Sequence, residues 1–304
     1  MVRKMKKQIL LAVALVASFI FNAQAQILYR VSGNGLESPS YIVGTYHLAP
    51  ASFADSIPGL KVAIENTTQV CGELDMMDAF KPENATRLMQ SQMLPEGVTL
   101  SSLLTIEQRA RLNALLLEVF GTNLDDEAYA AQVEKMKPAV LSATITLTVY
   151  MKEVKSFNPM ELLDNYFQML ALQSGKSVKG FETVDFQAEV LYGGSVEKQA
   201  NDLMCLVDHF DESMKMANRI TNAYFSQNLQ LLEEVMDAES EIDCSSPEDE
   251  DLLINNRNRN WVEMMPAMMA GQPTLFAVGA GHLCGEQGLL KLLEGKGFTV
   301  EPVK

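Results

Sequence analysis

The chain writes one short unit twice, near its two ends, and that repeat limits what it can fold into. Val43-Gly44-Thr45-Tyr46-His47-Leu48 and Val278-Gly279-Ala280-Gly281-His282-Leu283 each follow a proline, Pro39 or Pro273, and a short apolar run. Tyr41-Ile42-Val43 and Leu275-Phe276-Ala277-Val278 are bulky or β-branched runs that stop at glycine. That is the pattern of a buried strand ending in a tight turn. In an open α/β sheet, the loops leaving the carboxyl ends of strands are where ligands bind. The sequence has three histidines, and two stand at the same place in this unit. A lone histidine near a strand end is more often structural than functional. Two in one repeated context reverse that expectation, so His47 and His282 are read as facing each other across one site.

Between the repeats the order of elements points to an α/β fold with a central mixed β-sheet, flanking helices and a large helical insertion. Ile27 to Val31 and Tyr41 to Val43, separated by Ser32-Gly33-Asn34-Gly35, read as a hairpin. A helix over Ser56–Glu65, with Pro58 in its first turn, and a strand over Thr68–Asp75 complete a parallel crossover unit. From Pro82 to about Met236 the chain reads as mainly helical. Thr105-Ile106-Glu107-Gln108 is a capping box for a helix that runs to Gly121. Asp126 to Lys137 reads as a helix ended by Pro138, Ala139 to Lys155 is ambiguous between helix and strand, and Glu161 to Gln173 is an amphipathic helix. Ser177 to Thr183 reads as a strand ending in Glu182, and Asn201 to Asp237 as helix. Glu239 to Asp251 reads as an acidic solvated loop, Leu252 to Ala270 as a helix kinked at Pro266. A strand, helix and strand over Leu275–Val278, Gly288–Glu294 and Phe298–Val300 close the chain. Met264, Met265, Met268 and Met269 fall at helical spacing, which favours core packing over soft-metal binding. His209 lacks a repeated context and is read as surface or structural.

The first 25 residues carry a basic start (Arg3, Lys4, Lys6, Lys7), an apolar run from Ile9 to Phe21 interrupted by Ser18, and Ala23-Gln24-Ala25. These are the parts of a secretory signal peptide. The expectation is cleavage after Ala25, export to the periplasm or outside, no stable membrane anchor, and one domain over residues 26–304 with a helical middle region about 82–251. Removing four positive charges takes the net charge from −15 to −19, which argues against nucleic acid as a partner. Cys71, Cys205, Cys244 and Cys284 allow three disulfide pairings. Cys205 and Cys244 flank the same helical region and form the expected pair, while Cys71 and Cys284 either pair or stay thiols.

Two histidines with two strand-end glutamates, Glu73 and Glu182, make a coherent donor set. Neutral imidazole and carboxylate together suit a divalent ion: zinc, manganese, cobalt or iron. Each glutamate alone reads equally well as a turn cap or an ion-pair partner, and no His-Glu-x-x-His motif is present.

The sequence resembles the TraB/GumN family, which also takes in PrgY-type proteins and the Tiki proteases. The two Gly-x-x-His motifs carry the resemblance, with the lead-in Leu28 to Tyr41, Glu73 in Gly72-Glu73-Leu74-Asp75, and the block of Asp164, Gly175-Lys176, Glu182-Thr183 and Gln187. Arg257-Asn258 with Trp261 and the closing Leu289–Val300 complete it. The resemblance implies an α/β fold of the erythromycin-esterase, ChaN-like and Tiki type. It also implies a site built from the histidines, the acidic residues and the Arg-Asn pair, and, through the Tiki branch, metal-dependent proteolysis of a peptide or protein substrate. In that reading His47 and His282 are metal ligands, Glu73 or Glu182 a third ligand or the general base, Arg257 an oxyanion stabiliser and Asn258 its orienter. The alternative is a non-enzymatic module that sequesters a peptide, haem or metal. The processing expectation is direct: exported protein should begin at Gln26, and intact mass spectrometry of the secreted or periplasmic fraction checks it. Retention of residues 1–25 in a membrane fraction would overturn it.

Overall fold

The computed structural model describes residues 26–154, 157–238, 244 and 247–304. The signal-peptide assignment lies outside the described residues. Among the described residues, six strands form one sheet: β1 (Leu28–Gly33), β2 (Ser40–Thr45), β3 (Gln69–Leu74), β4 (Ser177–Glu182), β5 (Thr274–Gly279) and β6 (Phe298–Pro302), in the order β4-β3-β5-β2-β1-β6. β4, β3, β5 and β2 run parallel, and β1 lies antiparallel to both β2 and β6. The sheet is therefore mixed, as the hairpin and crossover readings require.

Most expected strands hold, but their arrangement adds one thing. β2 and β3 are parallel, yet they do not touch; β5, from the far end of the chain, lies between them. Its pairing with β2 sets Gly44 opposite Val278 and Thr45 opposite Gly279. The two repeated units are thus adjacent strands, and their loops leave the same edge. β2 and β5 are buried almost throughout, which explains their unbroken apolar runs.

Several helix boundaries differ from expectation, each for a local reason. The helix after β2 is α1 (Leu60–Glu65); Pro58 stands before it, because Gly59 adopts a left-handed backbone at its N-cap and the preceding Ala51–Ser56 is a 3-10 turn. Pro138 does not end a helix. It occupies the first turn of the next one (Pro138–Glu153), where its missing N–H leaves no bond unmade. The helix before it covers only Glu127–Val133. Of the apolar stretch Ala139–Lys155, the part to Glu153 is that Pro138–Glu153 helix, and Lys155 lies outside the described residues. Asn201–Asp237 lies within three helices (Val196–Asp208, Phe210–Phe225, Leu229–Met236), divided at His209 and near Gln227, whose φ is positive. Of the stretch expected to be an acidic loop, Pro247–Glu250 is helical and Asp251 opens a π-helical turn to Asn255; residues 239–243, 245 and 246 lie outside the described residues. The next helix, α2 (Asn256–Gly271), runs through Pro266 and buries Met265 and Met269, while Met264 is more exposed.

The core divides in two. One cluster packs the sheet against Leu163, Phe167, Tyr224, Trp261 and Leu289. The other lies inside the helical insertion, around Leu100, Leu112, Leu116, Leu141 and Leu203. Cys205, two residues beyond Leu203, forms a disulfide with Cys244, with Cα atoms 5.6 Å apart. Lys198 adds an ion pair to Asp249 at 2.9 Å. Both ties join the helical insertion to the segment that leads into α2. Cys71 and Cys284 are free. A closed loop of 39 residues of sequence separation makes the bridge worth about 2–4 kcal/mol. Denaturing titrations with and without reductant should show a loss of that size, and alkylation of unreduced, unfolded protein should label Cys71 and Cys284 alone.

Candidate functional site

The site assembles at the carboxyl edge of β3, β5, β2 and β4, closed from one side by α2. Two of the motif glycines have physical reasons. A Cβ on Gly44 would meet Ala280 at 3.0 Å, and a Cβ on Gly279 would meet the Glu73 carboxylate at 3.2 Å. Glycine at 44 lets the second repeat pack on the first, and glycine at 279 lets a carboxylate reach the backbone. Gly279 N–H donates to Glu73 Oε1 at 2.9 Å.

Arg257 is the centre of the buried part. Its Nε and Nη2 donate to Glu182 at 2.8 and 2.9 Å, a bidentate pair. Nη2 also donates to Glu73 Oε2 at 2.6 Å. Nη1 donates to Leu253 O at 3.0 Å and faces His282 Nε2 at 3.2 Å. A guanidinium has five N–H groups, and these five contacts use all of them. The side chain is only 6 % exposed, its charge balanced by two carboxylates that are themselves buried. Trp261 supports the clamp, since its indole N–H donates to Glu182 Oε1 at 2.9 Å and its ring lies 4.8 Å from the guanidinium carbon. Phe181 stacks on Trp261 and on Phe276 behind it.

His282 is buried and its tautomer follows from its neighbours. Asn258 Nδ2 donates to the carbonyls of His282 and Gln287, at 3.1 and 2.8 Å, so its Oδ1 turns to His282 Nδ1 at 2.7 Å. Nδ1 therefore carries the proton and Nε2 the lone pair, and Glu73 Oε1 lies 3.8 Å from that lone pair. Burial holds the imidazole pKa down to about 4, so the ring is neutral near pH 7. Burial alone would raise the Glu73 carboxyl, but its neighbours His282, His47 and Arg257 and the Gly279 N–H together bring it below the usual carboxylate range.

His47 occupies the open part of the site, with 70 % of its side chain exposed. Asp164, at the start of the Leu163–Gln173 helix, bonds His47 Nδ1 through Oδ2 at 3.1 Å and accepts from the Thr45 hydroxyl through Oδ1. That bond pushes the His47 pKa up to about 9, an effect that solvent screens at so exposed a ring. Tyr46, between Thr45 and His47, packs on Tyr224 and bonds Thr221 at 2.8 Å, while the Tyr224 hydroxyl donates to Gly44 O at 3.1 Å. These contacts fix the loop that presents His47.

The six residues singled out from the sequence thus fall on one edge, and the histidines are within electrostatic range of each other and of Glu73. They do not play equivalent parts. Glu182 has both oxygens occupied by Arg257 and Trp261, whereas Glu73 Oε1 stands beside the His282 lone pair. Among the described residues, no three His, Cys, Asp or Glu side chains converge closely enough to hold a metal ion together. The converging pair is His282 Nε2 and Glu73 Oε1. Its chemistry, a neutral imidazole nitrogen and an ionised carboxylate oxygen, fits a divalent cation.

Asp164 and Gln187, which bonds Glu73 Oε2 at 3.4 Å, enter the sequence reading only through the family block. An aspartate in the first turn of a helix is ordinary, so nothing local marked Asp164 as the partner of His47.

The TraB/PrgY/gumN family model matches residues 27–302. The chain belongs to that family. Curated relatives include the Metalloprotease TIKI2 of Danio rerio, 26 % identical over 86 % of this chain and 58 % of the relative. The Metalloprotease TIKI homolog of Nematostella vectensis is 23 % identical over 88 % of this chain and 65 % of the relative. This TraB/PrgY/gumN member therefore spans about three fifths of the length of these curated relatives. No solved structure gives a significant match.

Breaking a buried ion pair from one side costs about 3–5 kcal/mol, because the other charge stays buried. Glu182→Ala should destabilise the fold by an amount in that range, measured by denaturant unfolding. Glu263→Ala, which removes an exposed partner of Lys296, should change little by the same measurement.

Proposed function

We propose that this protein is an exported, metal-dependent hydrolase acting on peptides or proteins. The observation that carries the reading is the pairing of a buried, neutral His282, its Nε2 lone pair fixed by Asn258, with an ionised Glu73 at the carboxyl edge of the sheet. The Tiki metalloproteases among its relatives support the reaction class. The signal-like residues 1–25 and the Cys205–Cys244 disulfide, a bond of oxidising compartments, support export to the periplasm or outside.

His282 and Glu73, the converging pair, would hold the ion, and His47, which stands apart from them at the open mouth, would have to move in to complete the set. A divalent cation bound there supplies Lewis acidity and a bound water whose pKa falls toward 7. The chain's own residues supply the rest. Asn258 holds His282 in its ligating tautomer, the kind of outer contact whose loss weakens metal sites. Gly279 N–H and Arg257 fix Glu73. Asp164 orients His47 at the open mouth, where an incoming substrate meets it first, and the imidazole can hold or release a proton there. The stacked Phe181, Trp261 and Phe276 exclude water from behind the buried half.

His47→Ala and His282→Ala should each lose most bound metal and about a hundredfold or more of the hydrolytic activity. The double variant should lose little more, because residues acting as a unit are not additive. Metal stoichiometry and cleavage of a peptide library by purified mature protein check this, with His209→Ala as the unaffected control. Full metal content in both single variants would overturn the reading. Metal bound without any hydrolysis would make the protein a sequestering module instead.

A further inference from the structure

The Arg257 guanidinium sits on the lone pair that a metal would need. The Asn258 amide is oriented by two carbonyl acceptors, so His282 must donate from Nδ1, and its only free electron pair is on Nε2. Arg257 Nη1 points at that pair from 3.2 Å. The same guanidinium grips Glu73 Oε2 at 2.6 Å. One positive charge thus covers the His282 lone pair directly and holds Glu73 through its other oxygen, and a cation and the Nη1 contact cannot share the Nε2 lone pair.

The cap is also built to let go on one side. Its two contacts to Glu182 use Nε and Nη2, away from His282. A shift that gives up the Nη1 contact leaves that bidentate pair intact, so the guanidinium keeps a buried counter-charge. The backbone keeps hold of the other Nη1 N–H. Leu253 O, already bonded at 3.0 Å, lies in the π-helical turn Asp251–Asn255, a local irregularity of a kind often found at functional sites.

We propose that Arg257 is a built-in competitor for the cation: it holds His282 and Glu73 closed until a divalent ion displaces its Nη1 contact, and so sets the affinity of the site. The inference rests on the metal-dependent reading given above. It makes Arg257 a positioning residue rather than a ligand. Substituting it should strengthen metal binding while weakening the fold, whereas an ordinary supporting residue weakens both.

The chain carries its own reporter. Trp261 is its single tryptophan; it bonds the Glu182 oxygen that Arg257 also uses and lies under the guanidinium. The test is calorimetric titration of Zn²⁺ and of Mn²⁺ into the mature wild-type protein and into Arg257→Gln at neutral pH, with Trp261 emission followed in parallel. Arg257→Gln should bind about tenfold or more tightly than wild type, since a hydrogen bond from a charged group is worth at least that factor. Wild-type emission should change in step with metal saturation as the guanidinium leaves Nε2. If wild type binds metal and Arg257→Gln binds equally or more weakly, the gate is wrong and the metal reading stands. If neither binds either ion, the metal reading fails and the gate with it. Should Arg257→Gln not fold, the wild-type arm decides alone: saturation by calorimetry with unchanged Trp261 emission overturns the proposal, and a matched change supports it.

Discussion

A single buried guanidinium holds the two halves of this site together. Arg257 comes from a helix late in the chain, Glu73 and Glu182 from the ends of β3 and β4, and His282 from the loop after β5. Without Arg257, two buried carboxylates would face each other near a neutral imidazole, and their desolvation would go unanswered. With it, every oxygen and every N–H in the cluster has a partner. The contacts are charge-assisted and short, so the cluster fixes the relative position of three strands and one helix more tightly than apolar packing alone would. Trp261 and the Phe181 and Phe276 rings behind it give that polar cluster a dry wall.

Much of this arrangement can be read from residues. The repeated Gly-x-x-His unit marks two equivalent strand ends, and the structure supplies the reason for two of its glycines, one giving room to Ala280 and the other to a carboxylate. The strand-end position of Glu73 and Glu182 is legible from the apolar runs that precede them. Their different fates are not, because which carboxylate an arginine grips with two N–H groups depends on packing between elements far apart in sequence. Asp164 was hidden for the opposite reason: its local context is that of any helix start. The order of the strands was also beyond reach, since a crossover from β2 to β3 reads the same whether or not another strand lies between them.

Helix ends show where local rules suffice and where packing overrides them. The Thr105–Gln108 capping box and the left-handed Gly121 bound their helix as expected. Pro138 punctuates the chain as expected but from the other side, opening a helix rather than closing one. The stretch expected to be an acidic loop becomes helical from Pro247 because it leads directly into α2, whose Trp261, Met265 and Met269 are anchored in the core. Tertiary packing there outweighs the charge run that made a loop the natural reading.

The placement of β5 between β2 and β3 gives the molecule a particular order of assembly. The first Gly-x-x-His strand lacks a parallel neighbour until the last part of the chain arrives, and the Glu73 carboxylate waits for a backbone N–H 206 residues away in sequence. Closing so long a loop is entropically costly and comes before its contacts give any return. The site is therefore complete only once β5 is in place. A chain cut short before β5 has a sheet with a missing middle and two buried-type strand edges open to other chains, and it carries Arg257 and its two glutamates without the Gly279 N–H and His282 that complete the cluster.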